Sequence, residues 1–193
     1  MTSTAADPTA PTRKLVANFF VTLDGVVESP DQWQFPYFDE EMGEAVGVGF
    51  AASDAMLMGG TLYREWSQYW PGSTDQPMAD TINGIPKYVV SRTLDRVDWS
   101  NSTLLRGDDV AERIRELKAA PGKDIAMSGS AVLTRWLLAE GLVDELHLLV
   151  HPLVVGSGRR LFEDGMPRQP LELVSAQTFG TGVVHLTYRP AAA

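Results

Sequence analysis

The chain reads as an α/β domain on a central, mostly parallel sheet that ends in an antiparallel C-terminal edge hairpin. Three observations predict this. Short apolar runs alternate with helix-period segments along most of the chain. Two of these runs pass straight into helices through small-residue turns, Met58-Gly59-Gly60-Thr61 and Ser128-Gly129-Ser130-Ala131. The last segment, Leu171 to Arg189, reads as two strands joined by Phe179-Gly180-Thr181-Gly182.

Taken in order, a first strand over about Lys14 to Val21 has Leu15, Ala17, Phe19 and Val21 on one face and Val16 and Phe20 on the other. Thr22-Leu23-Asp24-Gly25 ends it. Pro30 to Tyr37 is loop, rich in aromatics. Asp39 to Ala52 reads as a helix with acids in its first turn, where the dipole favours them. Gly43, Gly47 and Gly49 weaken that helix and suggest close backbone approach, with packing preferred over a ligand. Ala55 to Met58 is a strand, followed by a brief helix with Leu62, Trp66 and Tyr69 on one side. Tyr88 to Val90 is a strand after Pro86, and Thr103 to Leu105 another. Asp109 and Glu112 resemble a capping box opening a helix that stops near Pro121-Gly122. Ile125 to Met127 is a buried strand. Its following helix keeps Val132, Leu133, Trp136 and Leu137 three and four apart and ends at Gly141. Glu145 to Val155 is a strand. No internal repeat is visible.

At 193 residues the chain is read as a tail over 1–12 and one domain over 13–190. Hydrophobic content of 44% and charged content of 21% suit a soluble globular protein. A net charge of −9 with scattered lysines and arginines argues against nucleic acid as a partner. With no cysteine, neither disulfides nor thiolate chemistry enters. The first dozen residues lack the features of a signal peptide, and no apolar stretch approaches the roughly 20 residues of a membrane helix. A cytoplasmic location is therefore expected.

Each strand-turn-helix aims free N–H groups and a positive helix end at one point, which suits a phosphate. Ser130 and Thr61 are natural helix caps, and paired glycines permit positive φ and close ligand approach. Alone, each unit is equally an ordinary turn; two in one small domain suggest a ligand with separated phosphates, such as a dinucleotide. The spacing is not the G-x-G-x-x-G fingerprint. Ser91-Arg92-Thr93 at a strand end can fork onto an adenosine 2′-phosphate, which favours NADPH over NADH. The alternative there is a solvated arginine.

His147 and His151 share a strand face but stand ~13 Å apart, too far for one metal ion, and no metal is expected. No nucleophile elbow is present. Hydride transfer needs none, because the cofactor carries the chemistry. Asp24 is the carboxylate to single out, at a strand end beside Gly25 and near the aromatic loop; the alternative is a turn residue. Trp33, Phe35 and Tyr37 either stack on a flat heterocycle or pack as a lid. Gly156 to Arg160 suits a substrate phosphate or carboxylate, or is a surface turn.

The series Thr22-Leu23-Asp24-Gly25, Met58-Gly59-Gly60-Thr61, Val90-Ser91-Arg92-Thr93, Ser128-Gly129-Ser130-Ala131 and His151 to Gly158, then Leu161-Phe162, resembles the dihydrofolate reductase superfamily. It is most similar to the reductase domain of the bifunctional riboflavin-biosynthesis deaminase–reductase and its stand-alone relatives. The resemblance spans Lys14 to Arg189. It implies helices on both faces of the sheet, NADPH as hydride donor, a small-molecule substrate and a homodimer. By position it implies that Gly59, Gly60, Thr61 and Leu62 contact the nicotinamide-side phosphate and ribose. Ser91, Arg92 and Thr93 would hold the 2′-phosphate, and Ser128, Gly129, Ser130, Ala131 and Val132 the pyrophosphate. Asp24 would be catalytic, near substrate and nicotinamide. Ser-Gly-Ser stands where many relatives carry consecutive glycines, and no deaminase domain with zinc ligands is present. The expected function is an NADPH-dependent reductase of a small heterocyclic or carbonyl substrate, with the proton from water or Asp24. The alternative is a non-catalytic NADP(H) sensor.

Overall fold

A computed structural model describes residues 13–191; the N-terminal tail inferred from sequence lies outside the described residues. Eight strands form one sheet: β1 (Leu15–Thr22), β2 (Ser53–Gly59), β3 (Lys87–Val90), β4 (Ser102–Leu105), β5 (Asp124–Ser128), β6 (Glu145–His151), β7 (Leu171–Thr178) and β8 (Val184–Pro190). Five α-helices accompany them: α1 (Glu40–Ala51), α2 (Gly60–Tyr69), α3 (Met78–Gly84), α4 (Val110–Ala119) and α5 (Ala131–Ala139). Strand order is β4-β3-β2-β5-β1-β6-β8-β7. All pairings through β6 are parallel, whereas β8 pairs antiparallel with both β6 and β7. The expected architecture is the observed one.

Alternation along the strands divides the core. Leu15, Ala17 and Phe19 of β1 join Leu57 and Met127 under Ile114 of α4 and Leu137 of α5. On the other face Met56, Met58 and Val89 pack with Tyr63 of α2 and Ile82 of α3. Met42 of α1 meets Leu149 beside Phe20, also on that face. Helices therefore cover both faces, each burying the side chains that strand periodicity of two sends toward it.

Several local readings are corrected. β6 stops at His151 because Pro152 has no N–H to extend the ladder. Asp109 makes no side-chain bond to its helix, so the capping box does not form. Tyr69 is exposed, and Tyr63 is the buried aromatic of α2. A Cβ on Gly47 or Gly49 would meet nothing within 4 Å, and on Gly43 only Phe38 at ordinary contact, so tight packing is not why α1 carries glycine. α3 was not foreseen. Its C-terminal carbonyls are capped from a distance: the buried Lys87 ammonium donates to Ile82, Asn83 and Ile85 carbonyls at 2.9, 3.1 and 2.8 Å and lies 4.4 Å from the Trp99 ring.

Candidate active site

Because β3, β2, β5, β1 and β6 run parallel and adjacent, the turns leaving their C-terminal ends lie along one edge of the sheet, where open α/β sheets receive ligands. Those turns carry Ser91-Arg92-Thr93, Gly59-Gly60, Ser128-Gly129-Ser130, Asp24-Gly25 and Pro152 onward. The chain order of the motifs is scrambled into a spatial row.

The first three turns touch. The Ser130 hydroxyl accepts the Gly59 N–H at 2.8 Å, across 71 residues of sequence. A Cβ on Gly60 would sit 2.7 Å from Ser91 Oγ, and one on Gly129 3.3 Å from Leu62 Cδ1. Gly129 has φ +69°, the left-handed conformation that favours glycine; positive φ is the sequence expectation for the Gly59-Gly60 pair instead. Gly59 and Gly60 do not adopt it. Gly59 is extended, at φ −83°, and Gly60 opens α2, so this pair is glycine for close approach rather than positive φ.

Both helix starts lack the side-chain caps expected of them. Gly59, not Thr61, is the N-cap of α2, and no side chain bonds its first turn. Ser130 is the N-cap of α5 by position, but its hydroxyl is turned to Gly59 instead of its own helix. Two sets of first-turn N–H groups, on Gly60-Thr61-Leu62 and on Ala131-Val132-Leu133, are thus left without a side-chain acceptor among the described residues. Each sits at the positive end of a helix dipole. An anion is the ligand such groups suit. Val132, at the mouth, is 60% exposed.

In the β3 turn, Ser91 is buried and its Oγ accepts from the N–H groups of Thr93 and Leu94 at 3.2 and 3.1 Å. It shapes the turn from within. Arg92 and Thr93 are exposed. Arg64 of α2, absent from the sequence-based candidates, donates to Thr93 Oγ1 at 2.9 Å.

Asp24 lies at the other end of the row. Its carboxylate accepts from the Thr22 hydroxyl at 2.6 Å and from the Gly156 and Val155 N–H groups at 2.9 and 3.3 Å. The Thr22 bond foremost, then the two N–H groups, lowers its pKa to about 2. Arg160 lies 4.0 Å from it, and Arg159 4.0 Å from Glu28. The two cations of the 156–160 loop are therefore matched by acids. Val26 bridges Arg160, holding this loop against the segment after β1.

The aromatic loop divides. Phe35 is 64% exposed, whereas Trp33 and Tyr37 pack edge-on against His151, with centroids 5.0 and 5.7 Å away. His151 is fully buried, its Nδ1 bonded to the Leu149 carbonyl at 2.8 Å, and burial lowers its pKa. His147 pairs not with His151 but with His185 of β8, at 3.1 Å. Among the described residues no group of three or more His, Cys, Asp or Glu is placed to hold a metal, and no helix is long and apolar enough to cross a membrane.

Fold and site edge together define a dihydrofolate reductase-like protein with a small-residue, anion-ready cradle at the ends of its parallel strands. The chain belongs to the RibD C-terminal domain family, whose model matches residues 13–185. It is 34% identical over 181 residues to protein YyaP of Bacillus subtilis (strain 168), covering 91% of this chain and 94% of YyaP. A Shewanella sp. PV-4 protein provisionally assigned to riboflavin biosynthesis matches with TM-score 0.75 and 18% identity, over 93% of this chain and 99% of that one. Dihydrofolate reductase of Enterococcus faecalis, complexed with NADP(H), matches with TM-score 0.59 and 12% identity, over 93% and 97%.

Proposed function

We propose that the chain is an NADPH-dependent reductase that reduces a small, flat heterocyclic or carbonyl substrate. One observation carries the reading: two uncapped helix starts and an arginine-bearing turn meet at one end of the sheet, joined by the Ser130–Gly59 bond. They fit a dinucleotide in size and sign. The N–H groups of Gly60, Thr61 and Leu62 would hold the nicotinamide-side phosphate, those from Ser128 to Val132 the rest of the pyrophosphate, and Arg92 and Thr93 the 2′-phosphate. Bound there, the cofactor supplies a hydride.

Asp24, one strand beyond the cradle, takes the substrate side. Its depressed pKa keeps it ionised at neutral pH, so it acts as an acceptor for a substrate hydroxyl or amine and does not supply the proton. That proton comes from water. Leu23, Val154 and Val155, all exposed beside Asp24, offer the apolar contact a flat ring needs. The homodimer belongs to the same reading: edge strand β7 has Leu173 and Val174 about half exposed, a surface a second copy would cover.

The packing of Trp33 and Tyr37 against His151 favours a second reading, an NADP(H)-binding module without turnover, since rings held there are not free to stack on a substrate. Calorimetric titration with NADPH, followed by absorbance-monitored NADPH oxidation over pterins, ribosylaminopyrimidines and simple carbonyls, separates the two. Binding with turnover supports the reductase. Binding without turnover on any substrate supports the module, and no binding removes both.

A further inference from the structure

We propose that Arg64 is a cofactor-specificity residue: its guanidinium, beside Arg92 and the Thr93 hydroxyl, recognises the 2′-phosphate that distinguishes NADP(H) from NAD(H). The inference rests on the reductase reading and concerns the cofactor end of the same site.

Sequence spacing offers three 2′-phosphate donors, Ser91, Arg92 and Thr93. The structure turns one of them inward. Ser91 is 8% exposed, its oxygen is spent on the N–H groups of Thr93 and Leu94, and its side chain abuts Gly60. What replaces it comes from α2. Arg64 sits just over one turn past Gly60, and its Nη2 reaches Thr93 Oγ1 at 2.9 Å. That contact places a guanidinium at the exposed side of the turn, on the same hydroxyl expected to face the phosphate.

Charge accounting agrees with this placement, although Lys87, Arg113, Lys123 and Arg168 elsewhere in the fold also lack a carboxylate partner among the described residues. The chain carries 25 acidic and 16 basic residues, so most cations find an acid. The two arginines flanking this turn do: Arg96 pairs with Asp98 at 3.1 Å and Arg106 with Asp95 at 3.6 Å. Arg64 and Arg92 have no carboxylate within salt-bridge distance among the described residues. One guanidinium without a carboxylate partner thus reaches a turn that carries a second, exposed arginine, in an acid-rich protein. A phosphate monoester, with a charge of about −1.5 to −2, is the complement they lack. Space is available: a cleft of about 760 Å³ opens between Arg64 and Ser67 of α2 and the Thr93-Leu94 turn, within the range of small-molecule sites. Asp95 and Asp98 also line it, each held by its arginine.

The test is calorimetric titration of the full chain with NADP⁺ and NAD⁺, for wild type, Arg64→Gln, Arg64→Lys and Arg92→Ala. Arg64→Gln should weaken NADP⁺ binding by about 10- to 100-fold, the loss of one charge-assisted contact, while NAD⁺ affinity moves by less than about twofold. Arg64→Lys, which keeps the charge without the fork, should recover part of the loss. Arg92→Ala should shift selectivity in the same direction. An Arg64→Gln protein that keeps the wild-type ratio of NADP⁺ to NAD⁺ affinity, or loses both equally, overturns the inference while leaving the reductase reading standing. Wild type that binds neither dinucleotide overturns both. Arg64 is a surface residue, so the variants should fold; should Arg64→Gln not, Arg64→Lys with wild-type selectivity overturns the assignment by itself.

Discussion

Substituting Gly60 by alanine tests the cradle directly, because the expected harm comes from one contact. An ordinary helix start would accept alanine, and away from any neighbour the change would stabilise by up to about 1 kcal/mol. Here the new Cβ would lie 2.7 Å from Ser91 Oγ and 3.1 Å from Ser91 Cβ. Ser91 cannot swing aside freely, since its oxygen holds the β3 turn through two N–H bonds. Either α2 or the turn must shift, and overpacking of this kind costs about 1–3 kcal/mol. Net of the propensity gain, about 1–2 kcal/mol of destabilisation remains, or roughly 2–8 °C in Tm for a chain of this size. Urea unfolding of wild type, Gly60→Ala, Ser91→Ala and the double variant measures it. Removing Oγ leaves only the milder 3.1 Å contact, so the double variant should be less damaged than the sum of the singles, with coupling of about 1 kcal/mol. Gly60→Ala as stable as wild type, or strict additivity, would show that the turns do not press on each other and that the cradle is looser than described.

Three further outcomes are expected. Gly47→Ala, in a helix with open space at that Cβ, should raise stability by about 0.5–1 kcal/mol in urea unfolding; a loss would mean an undetected neighbour. Lys87→Met strips the donor from three carbonyls at the end of α3 and should cost about 2–4 kcal/mol, read as a lower urea midpoint; a change within about 0.5 kcal/mol would refute the capping role. Burial lowers the His151 pKa, so on acidification the unfolded imidazole takes a proton near 6.5 while the folded one resists; stability is full above that value and falls below it. His185, depressed by burial and by His147, adds the same sign. His151→Phe should flatten part of that slope in unfolding midpoints taken between about pH 5 and 8, and an unchanged slope would count against a buried neutral imidazole.

Strands were legible in sequence because apolar runs bounded by Gly, Pro and Ser have few other uses, and the hairpin because its turn chemistry is local. The parallel sheet followed from alternation. What stayed hidden was set by tertiary contacts. α3, with Thr81, Asn83 and Gly84 in seven residues, has little intrinsic helicity and is held by Lys87 from the next strand. The Asp109-x-x-Glu112 pattern matches a capping box, yet Asp109 adopts φ −90° and ψ 4°, outside the extended cap conformation. In the site, the motif turns stand at their sequence positions, but the local bonds within them differ from what the pattern suggests. Ser130 has the position and the hydroxyl of a cap for its own helix, yet the bond it makes is to Gly59, 71 residues away. Arg64 sits mid-helix among Tyr63, Glu65 and Trp66 and carries no motif; only the packing of α2 beside the β3 turn gives it a site.

The sheet order supplies the reason why these scattered motifs lie side by side. Read along the strand ends, β3, β2, β5 and β1 present Arg92, Gly60, Gly129 and Asp24 in that order, whereas the chain visits them as Asp24, Gly60, Arg92 and Gly129. A long ligand laid across the edge would meet cation, helix start, helix start and carboxylate in succession, so its anionic groups and its reacting end are sorted by sign. Neighbouring strands lie about 4.8 Å apart, which puts β3 and β1 three spacings, roughly 14 Å, from each other. That span is compatible with the extended dinucleotide proposed above. Ser130 and Gly59 then do more than brace two turns. By tying the α5 start to the α2 start they fix the pitch between the two sets of N–H donors, and on the reductase reading proposed above that fixed pitch is what would favour a diphosphate over two unrelated anions.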